Sequence, residues 1–290
     1  MSMKKSELIL NPDGSVYHLN LKPEHIAANI IFVGDQYRVD KISKHFDTIE
    51  FTTQKREFKT TTGTYKNKQF SIISTGIGPD NIDIVMNELD ALVNIDLQTR
   101  KPKEKLTSLN IVRIGTSGSL QADIPVDSFI ISSHALDLNG MLHSYQIEDI
   151  SNPEIENAFV KHTNWSSKKA APILIENNKE LETKLTSDVT FKGITATAGG
   201  FYGPQGRVLR LHLQDDKLNK KIDSFTFNKH RITNLEMETS AIYGLAKLLG
   251  HNACSISAIM ANRANGTFSK SPDKLMANLI SYTLEKLVKI

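Results

Sequence analysis

Phe70-Ser71-Ile72-Ile73-Ser74 runs straight into Thr75-Gly76-Ile77-Gly78-Pro79, and behind that turn Ile82, Val85, Met86, Leu89, Leu92 and Val93 recur every three or four residues. A short apolar run rich in β-branched side chains predicts a buried strand. The spacing that follows predicts an amphipathic helix, with Asp80 as its N-cap. Other stretches repeat the pattern. Ile30-Ile31-Phe32-Val33 stops at Gly34-Asp35, and Asn110-Ile111-Val112-Arg113-Ile114 stops at Gly115-Thr116-Ser117-Gly118. Phe129-Ile130-Ile131 and residues 193–196 and 255–261 read as further strands. Leu275, Leu279, Leu284 and Leu287 predict a closing helix over 273–288. Strands alternating with helices predict an α/β fold with a parallel or mixed central sheet, in one domain spanning residues 1–290. Residues 139–190 have weak periodicity and read as a partly helical excursion.

Composition narrows the function. Of 290 residues, 39% are hydrophobic and 23% charged, and the net charge of +3 is too small to argue for nucleic acid or a membrane surface. Residues 1–7 lack the apolar core of a signal peptide and no apolar run reaches membrane length, so a cytoplasmic protein is expected. Cys254 is the only cysteine, which excludes an intrachain disulfide and a thiolate metal cluster. Its apolar setting reads as a small buried hydrophobe rather than a nucleophile. The nine histidines show no metal-ligand spacing, so no metal is expected. There is no dinucleotide fingerprint, no Walker loop and no nucleophile elbow.

In α/β sheets ligands gather at the carboxyl ends of strands. That rule brings together segments 34–38, 75–78, 113–118, 201–207 and 262–263. Gly199-Gly200-Phe201-Tyr202-Gly203-Pro204-Gln205-Gly206-Arg207 places an amide and a guanidinium two residues apart beside two aromatics. Gln205 both donates and accepts, and Arg207 donates in a planar fork, which suits the edge of a flat heterocycle. The loop on its own also fits a surface turn. Arg38, Arg56 and Arg113 follow or end strands, and Thr116 lies in a glycine-rich turn, a set suited to phosphate. Each arginine also fits a local pairing with a carboxylate such as Asp35 or Glu57. In Asn234-Leu235-Glu236-Met237-Glu238-Thr239, a helix stripe of Met237, Ala241, Leu245 and Leu248 is expected to start between the two glutamates and to stop at Gly250. Only one glutamate, Glu238 by preference, is then expected to face a cleft and accept bonds from sugar hydroxyls; either also fits a favourable acid in the first helical turn. His18, in Val16-Tyr17-His18-Leu19, reads as structural when taken alone.

Taken in order, His18-Leu19, Gly34-Asp35 with Arg38, Arg56-Glu57-Phe58, residues 74–78, Arg113-Ile114-Gly115-Thr116, Phe201-Tyr202 with Gln205 and Arg207, Glu236-Met237-Glu238, and Asn262-Arg263 resemble the uridine phosphorylases of the nucleoside phosphorylase family. The resemblance runs from about residue 17 to the C-terminus. It implies a three-layer α/β/α sandwich around a mixed, partly barrel-like sheet. It also implies reversible phosphorolysis of uridine to uracil and ribose 1-phosphate, with deoxyuridine and thymidine as further candidate substrates, inorganic phosphate as co-substrate and no cofactor. By that resemblance Gly34, Arg38, Arg113 and Thr116 hold phosphate, with Arg56 reaching in from a neighbouring subunit. Phe201, Gln205 and Arg207 hold the base, with Arg263 supporting their loop. Glu236, Met237 and Glu238 hold the ribose, and His18 of the neighbour meets its 5′ end. Gln205, Arg207 and Arg113 are the catalytic groups. A homo-oligomer, dimer or hexamer, with shared sites is implied. The chain departs from the family in running from Gly76-Ile77-Gly78 straight to Pro79-Asp80, one glycine short of many relatives, and in Thr116-Ser117-Gly118-Ser119, which has serine where a second glycine is common. Given the short loop, no monovalent cation is expected near Glu57. The rival readings are a purine nucleoside phosphorylase, a nucleosidase on the same fold, and a silent nucleoside-binding protein.

Overall fold

The computed structural model describes residues 2–289; Met1 and Ile290, the ends of the expected domain, lie outside the described residues. The first part of the chain forms β1 (Asn29–Val33), α1 (Gln36–Ser43), β2 (Thr48–Lys55), β3 (Phe58–Tyr65), β4 (Lys68–Ser74), α2 (Pro79–Asn94), β5 (Ile95–Asp96), β6 (Lys101–Pro102) and β7 (Asn110–Ser119). Then follow β8 (Phe129–Asp137), α3 (Pro153–Thr163), β9 (Ile173–Glu176), α4 (Lys179–Leu185), β10 (Thr190–Thr197), α5 (Leu218–Asp223), β11 (Thr226–Phe227) and β12 (His230–Glu236). The last elements are α6 (Thr239–Leu249), β13 (Asn252–Asn262), β14 (Thr267–Phe268) and α7 (Pro272–Leu287).

The main sheet runs in the order β11-β12-β10-β8-β13-β7-β1-β4-β3-β2, with β9 added on β8 and β14 on β13. β1 lies parallel to both β4 and β7, which explains its unbroken apolar run: both of its faces are covered. Ile30 and Phe32 point into the core beneath α2 and α6, whereas Ile31 and Val33 point into the core beneath α1, α4 and α7. Helices therefore cover both faces of a mixed sheet, as the α/β/α expectation required. β12 also pairs antiparallel with β7, at Asn234–Ser119 and Leu235–Gly118. That seam closes β7, β13, β8, β10 and β12 into a ring. Polar side chains are satisfied across it in sequence: Ser132 to Thr195 (2.6 Å), Thr195 to Asn234 (2.9 Å) and Asn234 to Ser117 (3.1 Å).

The structure corrects several expectations. Asp80 is not the N-cap of α2. Gly78 takes that place with φ 100, Pro79 supplies the preset φ of the first turn, and Asp80 lies within that turn. The strand expected to end at Ile114 continues to Ser119, because β13 runs beside it in parallel as far as Asn262. Gly115 through Gly118 are therefore strand, not a phosphate-cradling turn. The 139–190 excursion contains two helices and also β9, a four-residue strand too short to show periodicity. Gly250 ends α6 in the left-handed conformation, φ 78, as expected. Cys254 is fully buried and burial pushes its thiol up to about 12, so it stays protonated at neutral pH.

His134 on β8 faces Glu176 of β9 and meets the His230 ring edge-on at 4.9 Å. Burial, then the charges of His230 and Lys179, pull its pKa from 6.5 down to about 4. The unfolded chain therefore binds a proton that the folded chain refuses between those values, and stability falls as pH drops from about 6.5 towards about 4. In urea titrations at pH 7 and pH 5, the His134→Gln variant is expected to lose less stability than wild type, by on the order of 1 kcal/mol. Equal losses in both proteins would contradict this assignment.

Candidate active site

A cavity of about 320 Å³ opens where β1 and β12 end against the second half of β7. Gly34 and Arg38 form one wall, just after β1, and Arg113 and Thr116 form the floor on β7. Phe201, Gln205 and Arg207 come from the loop after β10, and Glu236, Met237 and Glu238 from the β12–α6 junction. Segments as far apart in the sequence as Gly34 and Glu238 thus converge on one cleft.

Arg113 is the most constrained of these groups. It is only 6% exposed, and its Nη2 lies 2.5 Å from Glu238 Oε2 and 3.3 Å from Glu236 Oε2. Its guanidinium fits because Gly115 has no side chain: a Cβ there would overlap Arg113 Nη1. Burial disfavours the cation, but Glu236 and Glu238 more than offset that and leave its pKa raised. One cation facing two carboxylates leaves excess negative charge. The ionised form of Glu238 is the one disfavoured: burial raises its pKa, against the pull of Arg113 and with Glu236 adding to the rise. The expectation that only one glutamate faces the cleft is therefore wrong, since both line the cavity and both meet Arg113. The reason is that α6 starts after both of them, at Thr239, with Glu238 at the N-cap. Glu236 does the capping instead. It accepts the amides of Glu238 (2.9 Å) and Thr239 (3.0 Å), and Thr197 Oγ1 donates to it at 2.7 Å. The other oxygen of Glu238 accepts the amide of Gly78, which ties the β4–α2 turn to the site.

Arg38 shows that local pairing and cavity lining are compatible. Its Nη2 pairs with Asp35 at 2.9 Å, and its Nη1 donates to the Ile114 carbonyl at 3.3 Å, yet the side chain still lines the cleft. Burial lowers its pKa, with Asp35 opposing and Arg113 assisting. In the 201–207 loop, Arg207 Nη1 donates to Gln205 Oε1 and to the Phe201 carbonyl, both at 2.6 Å, and the guanidinium lies 3.8 Å over the Phe201 ring. With Oε1 engaged, Gln205 has its amide nitrogen to donate and one lone pair left to accept. Behind the loop, Arg263 Nη1 and Asn219 Nδ2 both donate to the Gln205 carbonyl, at 2.7 Å and 2.9 Å. Burial and then Arg207 lower Arg263 to about 10, so it remains a cation at neutral pH.

Three residues picked from the sequence do not line this cavity. Arg263 sits behind the 201–207 loop. Arg56 is exposed in the β2–β3 turn, with φ 55, and none of the ion pairs among the described residues involves it. His18 lies on the N-terminal arm, bound to Glu88 of α2. Conversely, Met260, Ala261 and Phe268 line the cleft without having been singled out, whereas Ile77 belongs to the 75–78 segment expected there. Met260 and Ala261 lay inside a strand read as core, and their position at its end was the available signal. Phe268 is 63% exposed on the short β14, which has no sequence pattern. The described residues contain no group of three or more His, Cys, Asp or Glu able to hold a metal, and no helix long and apolar enough to cross a membrane.

The family described as the Phosphorylase superfamily matches residues 29–289. Among curated proteins, the chain is 29% identical over 283 residues to a uridine phosphorylase of Thermococcus kodakarensis, covering 96% of this chain and 88% of the relative. It is 26% identical over 279 residues to a uridine phosphorylase of Haemophilus influenzae, covering 95% of each. A DeoD-type purine nucleoside phosphorylase of Listeria welshimeri matches at 24% over 275 residues, 94% of this chain and 99% of the relative. Among solved structures, a Trypanosoma brucei nucleoside phosphorylase described as showing uridine phosphorylase activity superimposes with a TM-score of 0.88 at 28% identity, covering 98% of this chain and 100% of that one.

The pairing of Arg113 with Glu238 makes a stability prediction that owes nothing to relatives. Arg113→Met leaves two buried carboxylates without their cation and is expected to lose about 3–5 kcal/mol of unfolding free energy at neutral pH. Adding Glu238→Gln to that variant should recover part of the loss. If the single variant is as stable as wild type in urea titration, the pair does not hold the site together.

Proposed function

Because the chain belongs to the Phosphorylase superfamily across residues 29–289, we propose that it catalyses the reversible phosphorolysis of uridine to uracil and ribose 1-phosphate, a step of pyrimidine salvage. The observation that carries this reading is the coupled Gln205–Arg207 pair, which lines one cleft together with Arg38 and Arg113. The uridine phosphorylases among the relatives support it.

On this reading Arg38 and Arg113, with Gly34 and Thr116, bind phosphate, which is a co-substrate; no cofactor is needed. Arg56 of a second copy completes the phosphate site. Glu238, with Glu236 and Met237, accepts the ribose hydroxyls. Phe201 packs on the base. A phosphate oxygen attacks the anomeric carbon as the bond to the base nitrogen breaks, and the bonding pair leaves with uracil. Fixing the anion beside the reacting carbon contributes proximity and orientation. The uracil leaves carrying negative charge spread over its carbonyl oxygens, where Gln205 and Arg207 stabilise it as it develops. Arg263 and Asn219, both bonded to the Gln205 carbonyl, keep that pair in place. Residues 1–290 act as one domain, in a homo-oligomer whose smallest active unit is a dimer. A purine enzyme fits less well, since Ala261-Asn262-Arg263-Ala264 offers no aspartate to protonate a purine.

The base-side donors give the sharpest test. Arg207→Ala is expected to lower uridine turnover by about 10²–10³-fold, the usual cost of losing one such donor. Wild type should cleave uridine well ahead of inosine. Near-wild-type uridine turnover in the variant, or a preference for inosine, would overturn this reading.

A further inference from the structure

Glu88 on α2 grips the N-terminal arm around His18. The His18 amide lies 2.9 Å and 3.0 Å from the two carboxylate oxygens, the Leu19 amide lies 2.8 Å from Oε2, and His18 Nδ1 is 2.7 Å from Oε1. A second anchor acts one residue earlier, where Lys55 Nζ donates to the Tyr17 carbonyl and, at 3.1 Å, to Asn11 Oδ1. Backbone and ring are thus fixed together. A carboxylate accepts but does not donate, so the proton must sit on Nδ1. In the neutral imidazole Nε2 is then a bare acceptor, and it has no hydrogen-bond partner among the described residues.

The His18 side chain is 26% exposed and does not line its own chain's cleft. Its ring packs against Phe58, 6.3 Å away, at the base of the turn that carries Arg56. The two groups assigned to a second copy's site thus share one face of the molecule. We propose that Glu88 is a positioning residue, which locks His18 in its Nδ1–H tautomer so that the free Nε2 accepts a hydrogen bond from the primary hydroxyl of a nucleoside held by a second copy. This rests on the uridine-phosphorolysis reading and its shared site. It makes Glu88 and His18 one unit that selects nucleosides carrying a 5′-hydroxyl.

The test compares kcat/KM for uridine and 5′-deoxyuridine in wild type, His18→Ala, Glu88→Ala and the double variant. The uridine to 5′-deoxyuridine ratio is expected to fall by up to about tenfold in His18→Ala, the scale of one neutral hydrogen bond. It should fall by a similar factor in Glu88→Ala and no further in the double variant. An unchanged ratio in Glu88→Ala, or losses that multiply in the double variant, would overturn the proposal. If Glu88→Ala does not fold, nitrogen-15 NMR of the His18 ring in wild type decides: a protonated Nδ1 supports the assignment, and a protonated Nε2 overturns it. A wild type that cleaves neither nucleoside overturns the phosphorolysis reading and this proposal with it, an outcome distinct from active enzyme with an unchanged ratio.

Discussion

Arg113 is a buried cation in the middle of a barrel strand, and much of the surrounding architecture follows from keeping it there. Two carboxylates must meet it, because an unpaired buried charge costs several kcal/mol. Glu236 and Glu238 do so from the end of β12, two residues apart on backbone that has not yet become helix. Glu236 is in turn held by Thr197 and by the first amides of α6, and Glu238 by the amide of Gly78. Gly115 has to lack a side chain to make room. One ionic contact thereby couples β7, β10, β12, α6 and the β4–α2 turn.

The ring of strands explains why those walls meet. β7 and β13 run one way and β8, β10 and β12 the other, joined by antiparallel seams at β13–β8 and β12–β7. The carboxyl end of β12 is therefore delivered against the second half of β7, beside Arg113 and Thr116. The polar ladder from Ser132 through Asn234 to Ser117 holds the register of that closure with every partner satisfied. The loop from Phe201 to Arg207 is different. Phe201 is half exposed, and the loop is secured mainly through one carbonyl, that of Gln205, from Arg263 and Asn219. A wall built on a buried ion-paired arginine thus shares the cleft with a loop tied to the rest of the fold through one carbonyl.

Strand and helix identities were legible wherever burial on two faces or one face imposed its period: Ile30 to Val33, Phe70 to Ser74 and the stripe from Ile82 to Val93 are read correctly. The errors share a cause, which is that a glycine or an acid has a local meaning and a tertiary one. Gly115 and Gly118 look like a turn, yet they continue a strand because β13 pairs with them. Asp80 looks like a cap, but Pro79 had already begun the helix. Of the site, the charged and amide groups were legible because their chemistry is rare in cores, and the ordered resemblance named their company. The apolar lining was not, since Met260, Ala261 and Phe268 look like any core or surface residue until the chain is folded. Nor does sequence show that Glu236 and Glu238 both reach Arg113, which depends on where α6 begins.

The central claim is that phosphate, not water, takes the sugar from uridine. Phosphorus-31 NMR of the wild-type enzyme with uridine and inorganic phosphate measures it directly. Ribose 1-phosphate should appear in equimolar amount with free uracil, and uracil release should cease when phosphate is omitted. Uracil release without phosphate, yielding free ribose, would contradict the claim, as would tight uridine binding with no cleavage.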